Sequence, residues 1–305
     1  ENSFLNGNGV LNINYAGMLN KGIGIYYKNS ASTINDVEVR HTGDNLINIY
    51  SNHTALINNG NQLVQKNGIG IYSDGGTLAN IAQINLVGDN TAGIYLDNGA
   101  VLSKLGTITG NSSAVSSGKV GIYVNNGDIT GNSSYNFSLG GGIGIYLKNT
   151  DISYNGTMTL SGNSTLLNRT IGIYAAPSVT GTISTNLNIT GKDAIGIYLA
   201  KDLLNSANIV YDGKLDITSL SANNLGIGAI LEEGTVFALG NNGRINIGGT
   251  NNVGFYIKNG ALFNVLGGTV TNTKDDIFAY LDGGNINFNS SSFLNINYAN
   301  VIAAN

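Results

Sequence analysis

Asp74 and Asp97 are the side chains whose type and spacing come closest to a reactive pair. Each stands two residues after the tyrosine of a recurring Gly-Ile-Tyr segment. On adjacent coils of a repeating fold they would point outward about 5 Å apart, which suits a calcium site or the carboxylate pair of a retaining glycosidase. Residues of every charge occupy this position in the other copies, so we interpret it as a solvated turn edge. Those residues are Lys28, Asn52, Asn125, Lys148, Ala176, Ala200, Glu232, Lys258 and Asp282.

The other polar residues form no catalytic or metal-binding constellation. His41 and His53 have no acidic pattern beside them, and we predict that both are surface residues. The pairs Glu232-Glu233 and Asp275-Asp276 are adjacent in sequence, so in a strand their side chains diverge. We predict that both pairs solvate turns. The sequence thus predicts no catalytic residue, no metal site and no cofactor.

The composition excludes several classes of function. The 305 residues carry 14 Lys and Arg against 18 Asp and Glu, for a net charge of −4, which gives no basic surface for nucleic acid. Cysteine is absent, which excludes disulfides, thiolate nucleophiles and thiolate metal sites. No apolar run approaches about eighteen residues, so we expect no membrane insertion by this segment. We expect a monomer.

A short segment ending in tyrosine recurs along the whole chain. Degenerate copies end at Tyr50, Tyr256 and Tyr280, and Ile230 takes the tyrosine place in one more. The copies are about 25 residues apart on average, a period typical of a solenoid. The complete Gly-Ile-Tyr triplets end at Tyr26, Tyr72, Tyr95, Tyr123, Tyr146, Tyr174 and Tyr198.

Alternation within the segment predicts which residues face the core. Ile143, Ile145 and Leu147 show the pattern: the residues three before, one before and one after the tyrosine are apolar. Because alternate residues of a strand point to opposite faces, we expect these aliphatics inside and the glycine and tyrosine outside. In-register stacking would then form an outer tyrosine ladder with rings about 4.8 Å apart, beside a column of glycines.

This ladder is the candidate ligand-binding surface. Tyrosine offers a flat face and a hydroxyl, with which it could stack on sugar rings or anchor a partner protein. We favour the alternative that the rings stack on one another and protect a sheet, because a specific site would break the regularity of the pattern. The candidate binding residues are Tyr72, Tyr95, Tyr123, Tyr146, Tyr174 and Tyr198.

The remaining segments of each repeat complete a coil. A turn such as Asp97-Asn98-Gly99 follows the tyrosine strand, and strands such as Ala100-Val101-Leu102 and Thr107-Ile108-Thr109 follow the turn. We predict an all-β fold, a right-handed parallel β-helix of about 11–12 coils of about 22–28 residues, with three strands per coil. Inserts at 112–119, 154–169 and 203–212 are expected to form loops on one side.

Residues 1–305 are expected to form a single β-helix domain. Leu11–Ala16 near the start and Leu294–Ala299 near the end are almost identical in sequence. Neither end shows a polar capping repeat of the kind that protects the open ends of solenoids. We therefore expect a segment of a longer rod, with both ends uncapped.

The repeats also resemble those of a known family. Residues 93–110, 121–127, 144–149 and 254–260, with Gly-Ile-Tyr-Leu, then Asn-Gly and Gly-Thr-Ile-Thr, resemble the passenger repeats of the large fusobacterial type V autotransporter adhesins, which include galactose-binding and arginine-inhibitable adhesins. The resemblance implies a passenger domain that is exported through the outer membrane and displayed on the bacterial cell surface. Its implied partners are host-cell surface glycans or protein receptors, or the surfaces of other bacteria.

We therefore expect a non-catalytic segment of a surface-displayed adhesin. One alternative is a pure structural spacer of the rod, which would bind nothing. Another is a polysaccharide lyase or hydrolase of the β-helix type, for which Asp74 and Asp97 would have to supply the carboxylates.

Overall fold

The protein is an all-β solenoid. In the described residues the chain consists of strands and turns, and none of them belongs to a helix that could span a membrane. Most of the predicted inserts at 112–119 and 154–169 lies outside the described residues. The computed structural model describes residues 2–14, 22–110, 118–130, 134–150, 156–161, 169–191, 193–218, 225–248, 251–273, 276–289 and 294–299.

The strands form three walls, which we call the tyrosine wall, the middle wall and the back wall, in the order in which they follow one another within a coil that begins at the tyrosine strand. The tyrosine wall contains Gly22–Lys28, Leu46–Asn58, Ile69–Asn80, Ala92–Asp97, Lys119–Asn125, Gly142–Lys148, Ile171–Ala175, Ile195–Leu199, Ile227–Leu231, Val253–Lys258 and Ile277–Asp282. The middle wall contains Asn2–Asn6, Ala31–Asn35, the ends of Leu46–Asn58 and Ile69–Asn80, Val101–Leu105, Asp128–Ile129, Thr180–Ile183, Asn208–Tyr211, Val236–Leu239, Leu262–Val265 and Asn285–Phe288. The back wall contains Val10–Asn14, Glu38–Thr42, Gln62–Val64, Ile84–Leu86, Thr107–Gly110, Ser134–Leu139, Thr157–Ser161, Asn186–Thr190, Lys214–Thr218, Arg244–Gly248, Thr269–Thr273 and Asn295–Ala299.

Strands of successive coils pair in parallel and in register. Tyr72 pairs with Tyr95, and Tyr95 pairs with Tyr123. The same register runs from Tyr26 to Tyr280, with Ile230 in the tyrosine place between two tyrosines. All eleven predicted copies therefore occupy one column, and the predicted parallel β-helix with three strands per coil is confirmed.

The core runs inside the three walls as columns of aliphatic side chains. Within one coil, Ile94 and Leu96 of the tyrosine wall, Leu102 of the middle wall and Ile108 of the back wall are all fully buried. Each such side chain contributes about 1.5–3 kcal/mol on burial. Because the inner coils repeat this pattern of buried aliphatics, burial holds the solenoid together without disulfides.

The predicted turn after the tyrosine strand is present. Asn98 has φ 48° and Gly99 has φ 77°, and Asn126 in the next coil has φ 55°. Asparagine and glycine tolerate this left-handed backbone better than other residues do, which explains their recurrence at this corner. The backbone of Ala100 donates a 2.9 Å hydrogen bond to the carbonyl oxygen of Asp97 and closes the turn.

The predicted direction of the glycine column was wrong. A Cβ added at Gly121 would lie 2.5 Å from the Phe137 ring of the back wall and 2.7 Å from the carbonyl oxygen of Gly144. The glycine therefore faces inward, where neighbouring coils and the back wall leave no room for a side chain.

The residue three before the tyrosine was also assigned to the wrong side. Ile195 and Ile227 form, with Ile230, an apolar cluster separate from the main core, and Tyr198 and Tyr256 pack against it. These aliphatics therefore lie beside the ladder on the outer face. Strict alternation fails at the glycine, because both the glycine and the isoleucine that follows it point inward.

Candidate functional site

The predicted tyrosine ladder exists on the outer face. Successive rings from Tyr50 to Tyr198 have centroids 4.6–5.1 Å apart and planes within 4–13° of parallel. Each inner ring has both flat faces covered by its neighbours, so a sugar ring can reach only the ring edges along this stretch. All six candidate residues lie in the ladder: Tyr72, Tyr95, Tyr123, Tyr146, Tyr174 and Tyr198.

Acidic residues of the next coil accept hydrogen bonds from ladder hydroxyls. Tyr50 donates to Oδ2 of Asp74 at 2.8 Å. Tyr72 donates to Oδ2 of Asp97, also at 2.8 Å. The position that we interpreted as a solvated edge thus holds the ladder in place wherever it carries an acid. The other two such pairs are Tyr198 with Glu232, and Tyr256 with Asp282.

Asp74 and Asp97 are placed for structure rather than for chemistry. Asn98 and Asn52 also donate to Asp74, and the hydrogen bond from Asn98 is the main reason that the pKa of Asp74 lies below its ordinary value. Asn125 likewise donates to Asp97 at 3.0 Å. A general acid needs a raised pKa, which is the opposite shift. Within the described ranges no three His, Cys, Asp or Glu residues are grouped to hold a metal.

Burial raises the pKa of ladder phenols such as Tyr50 and Tyr123. It raises the pKa of Tyr50 to about 12, with further contributions from Asp74. Burial, followed by the neighbouring phenols Tyr146 and Tyr95, raises the pKa of Tyr123 to about 12. The hydroxyls are therefore hydrogen-bond donors at neutral pH.

His41 was wrongly assigned to the surface. It is only 1% exposed, and its Nε2 accepts a 3.2 Å hydrogen bond from the backbone of Gln65. Its Nδ1 donates a hydrogen bond to Oδ1 of Asn48. Asn48 is fully buried and occupies the place of the inward glycine in this coil. This arrangement requires the neutral tautomer with the proton on Nδ1, and burial lowers the His41 pKa. His53 is exposed, as predicted.

The ladder is interrupted at Ile230. Tyr198 stacks on Tyr174, but the next residue in register is Ile230, and the column resumes with Tyr256 and Tyr280, whose planes differ by 47°. A groove of about 510 Å³ lies at this point. We call it the ladder gap and define it by Tyr198, Ile230 and Tyr256, with Ile195 and Ile227 as its apolar floor and Leu225, Val253 and Tyr280 around it.

Charged residues border the ladder gap. Glu232 accepts hydrogen bonds from the Tyr198 hydroxyl and, at 2.6 Å, from Nζ of Lys258. The same Nζ lies 5.8 Å from the centroid of the Tyr256 ring. Arg169 also lines the groove and forms no ion pair with any residue that the structure describes. The rim therefore carries two cations for one anion.

A structured turn, which the Lys201–Glu233 ion pair joins to the Ile230 coil, presents two leucines to solvent. Oδ1 of Asp202 accepts the backbone N–H of Leu204 at 2.8 Å and of Asn205 at 2.7 Å, which fixes the turn. Leu203 and Leu204 are almost completely exposed. This turn, 201–206, accounts for the start of the insert predicted at 203–212, whereas Asn208–Tyr211 is a regular strand of the middle wall. We call 201–206 the leucine turn.

The other predicted solvating acids also have partners. Glu233 pairs with Lys201 and so connects the leucine turn to the following coil. Asp276 is buried and accepts hydrogen bonds from the backbone and side chain of Asn252, at 2.8 and 3.1 Å. Asp275 lies outside the described residues.

Comparison with protein-family models, with curated proteins and with solved structures finds no match for this chain. The geometry alone must therefore support a function. In the regular ladder the rings stack on one another, and the stacking is interrupted at the ladder gap. The sequence carried the signal for this site, since Ile230 is the one copy without an aromatic residue, but it did not show that a groove would result.

Proposed function

We propose that this chain is a non-catalytic stretch of an adhesin that is exported through the outer membrane and displayed on the bacterial surface. It attaches the cell to host cells or to other bacteria. The observation that carries the proposal is the ladder gap, an apolar groove, together with the nearly fully exposed Leu203 and Leu204 of the leucine turn. Exposed apolar patches of this kind mark interaction sites. The sequence resemblance to autotransporter passengers supports the same function.

The rest of the chain suits a stiff stalk. Eleven in-register strands in the tyrosine wall, at about 4.8 Å per coil, give a rod roughly 50 Å long. Main-chain pairing holds each coil to the next, ring contacts join the coils on either side of the Ile230 coil, and a tyrosine–carboxylate hydrogen bond is added at four positions. Such a rod presents a contact site at a distance from its anchor. The lyase or hydrolase alternative has no comparable support, because the Asp74 and Asp97 carboxylates bind tyrosine and asparagine side chains.

Attachment of beads carrying residues 1–305 to epithelial cells and to a panel of bacteria tests the proposal. We expect attachment, and we expect the double change Leu203→Ser and Leu204→Ser to weaken it. Ile81→Ser is the matched control, because Ile81 is 54% exposed on a distant coil and its loss leaves the gap and the leucine turn intact.

Three results would count against the proposal. Beads that attach to no cell in either panel would reassign the chain to a pure spacer. Equal attachment by the leucine double variant and the wild type would show that the leucine turn does not contact the target cell. Labelling of intact bacteria by antibodies against 1–305 is expected, and labelling only after lysis would contradict surface display.

A further inference from the structure

We propose that the ladder gap binds one aromatic side chain of a partner protein, inserted as the missing ring of the ladder. That the partner is a cell-surface protein rests on the adhesin function proposed above. That the gap binds an aromatic ring depends only on the groove. The chain itself shows what fits, because eight consecutive coils, from Tyr26 to Tyr198, fill the equivalent position with a phenol ring.

The spacing of the gap matches one planar ring. Tyr198 and Tyr256 both pair in register with Ile230, so they lie two coils apart, about 9.6 Å along the rod. A ring between them would sit about 4.8 Å from each, close to the 4.6–5.1 Å spacing of the intact ladder. Among the described aromatic contacts, none joins Tyr198 to Tyr256, and between them the two rings pack against the apolar cluster that contains Ile230.

The floor of the gap suits the hydrocarbon edge of such a ring. Ile195, Ile227 and Ile230 are only 4–7% exposed and form a compact apolar surface between the two tyrosines. Because these side chains are already largely buried, an inserted ring would gain mainly from stacking on Tyr198 and Tyr256 and only little from the floor.

The charges predict the polar end of the guest. In the intact ladder, Tyr72 and Tyr198 donate to an acid of the next coil. For a ring in the Ile230 coil the corresponding residue is Lys258, a cation, and Arg169 lies on the same rim. The gap therefore favours a ring whose polar end accepts hydrogen bonds, or a ring that carries a carboxylate of the bound molecule close to it.

The leucine turn indicates that the partner is a protein. Leu203 and Leu204 are held exposed by a fixed turn, and Lys201 ties that turn to Glu233, the neighbour of Glu232 on the rim. Aliphatic side chains gain most when they enter an apolar protein pocket, and they add little against the hydroxyl-rich surface of a glycan.

The test uses residues 1–305 and simple ring probes, followed by NMR of the Tyr198 and Tyr256 resonances. We expect 4-hydroxyphenylacetate to bind better than tyramine, which carries the same ring with a positive charge, and cyclohexylacetate to bind about tenfold more weakly because it cannot stack. Ile230→Tyr, which fills the gap from within, is expected to abolish binding of 4-hydroxyphenylacetate. Ile230→Val leaves the gap open and should retain it, and circular dichroism confirms that both variants are folded.

The outcomes separate this inference from the proposed function. Binding of 4-hydroxyphenylacetate that survives Ile230→Tyr, or no binding at all, overturns the aromatic site, and so does tighter binding of methyl glycosides than of ring probes. Cell attachment that persists in Ile230→Tyr overturns the use of the gap by a cell-surface partner but leaves the adhesin proposal intact. Ring binding without any cell attachment supports the site and contradicts the adhesin.

Discussion

The hydroxyl of Tyr72 donates a 2.8 Å hydrogen bond to Oδ2 of Asp97, a residue of the next coil. Asp97 itself stands two residues after Tyr95, the ring on which Tyr72 stacks. Each such coil boundary is therefore joined on its outer face by a stacked ring pair and by a phenol–carboxylate hydrogen bond. The ladder therefore contributes to the stability of the fold. This contribution to the free energy of unfolding can be measured separately from the proposed binding of an aromatic ring at the gap.

Removing one ladder hydroxyl should weaken the rod. Tyr72→Phe keeps the stacked ring and deletes the hydrogen bond to Asp97. Because the group is half-buried and its acceptor is charged, we expect the free energy of unfolding in urea to fall by about 1 kcal/mol.

Tyr123→Phe is the matched control for that change. Its ring has the same stacked environment, but the corresponding residue of the next coil is Lys148 and not an acid. The loss should be clearly smaller than for Tyr72→Phe. Equal losses would show that the carboxylate acceptor contributes nothing.

Stability should fall at alkaline pH because the ladder phenols are harder to ionise in the fold. The pKa of Tyr50 rises from its ordinary 10.0 to about 12. The unfolded chain loses this proton first, so the stabilisation is complete below pH 10 and is lost as the pH rises to about 12. Urea unfolding across this range should show the decline, and the tyrosinate absorbance should appear late. Tyr50→Phe should reduce the slope, and an unchanged slope would contradict this assignment.

The coils around His41 should weaken in mild acid. Burial lowers the His41 pKa below its ordinary 6.5, so the unfolded chain takes up the proton first as the pH falls. The contribution is complete above pH 6.5 and is lost towards the depressed pKa. Amide exchange of Asn48 and its neighbours, measured across this range, should rise as the pH falls after correction for intrinsic rates. His41→Gln should abolish this pH dependence, whatever its effect on stability at neutral pH.

A methyl group should not be tolerated in the inward glycine column. Gly121→Ala would place its Cβ 2.5 Å from the Phe137 ring and 2.7 Å from a backbone oxygen. We expect a loss of about 1–3 kcal/mol in the free energy of unfolding, since the oxygen cannot move without disturbing the next coil. Gly9→Ala is the control, because no atom lies within 4 Å of its added Cβ. If Gly121→Ala left the free energy of unfolding unchanged, the result would favour a glycine that faces outward, as the sequence suggested.

The repeat itself was readable from the sequence. The spacing of the tyrosine copies predicted the parallel β-helix, and the Asn-Gly pairs after Tyr95 and Tyr123 predicted the turns. Both features are local or strictly periodic, so they can be recognised without knowledge of the fold. The prediction that residues around each glycine alternate strictly between the inner and outer faces was wrong, because Gly121 faces inward and lies against the back wall.

The sequence by itself determined the coil, the register and the outward tyrosines, because these follow from a period that hydrophobic burial enforces. Only the tertiary structure decided which carboxylates hold the ladder, since the partners lie 24 residues apart for Tyr50 and Asp74 but 34 apart for Tyr198 and Glu232. It also decided that Ile230 opens a groove. A missing ring becomes a site only when the coils on both sides stack in register with it.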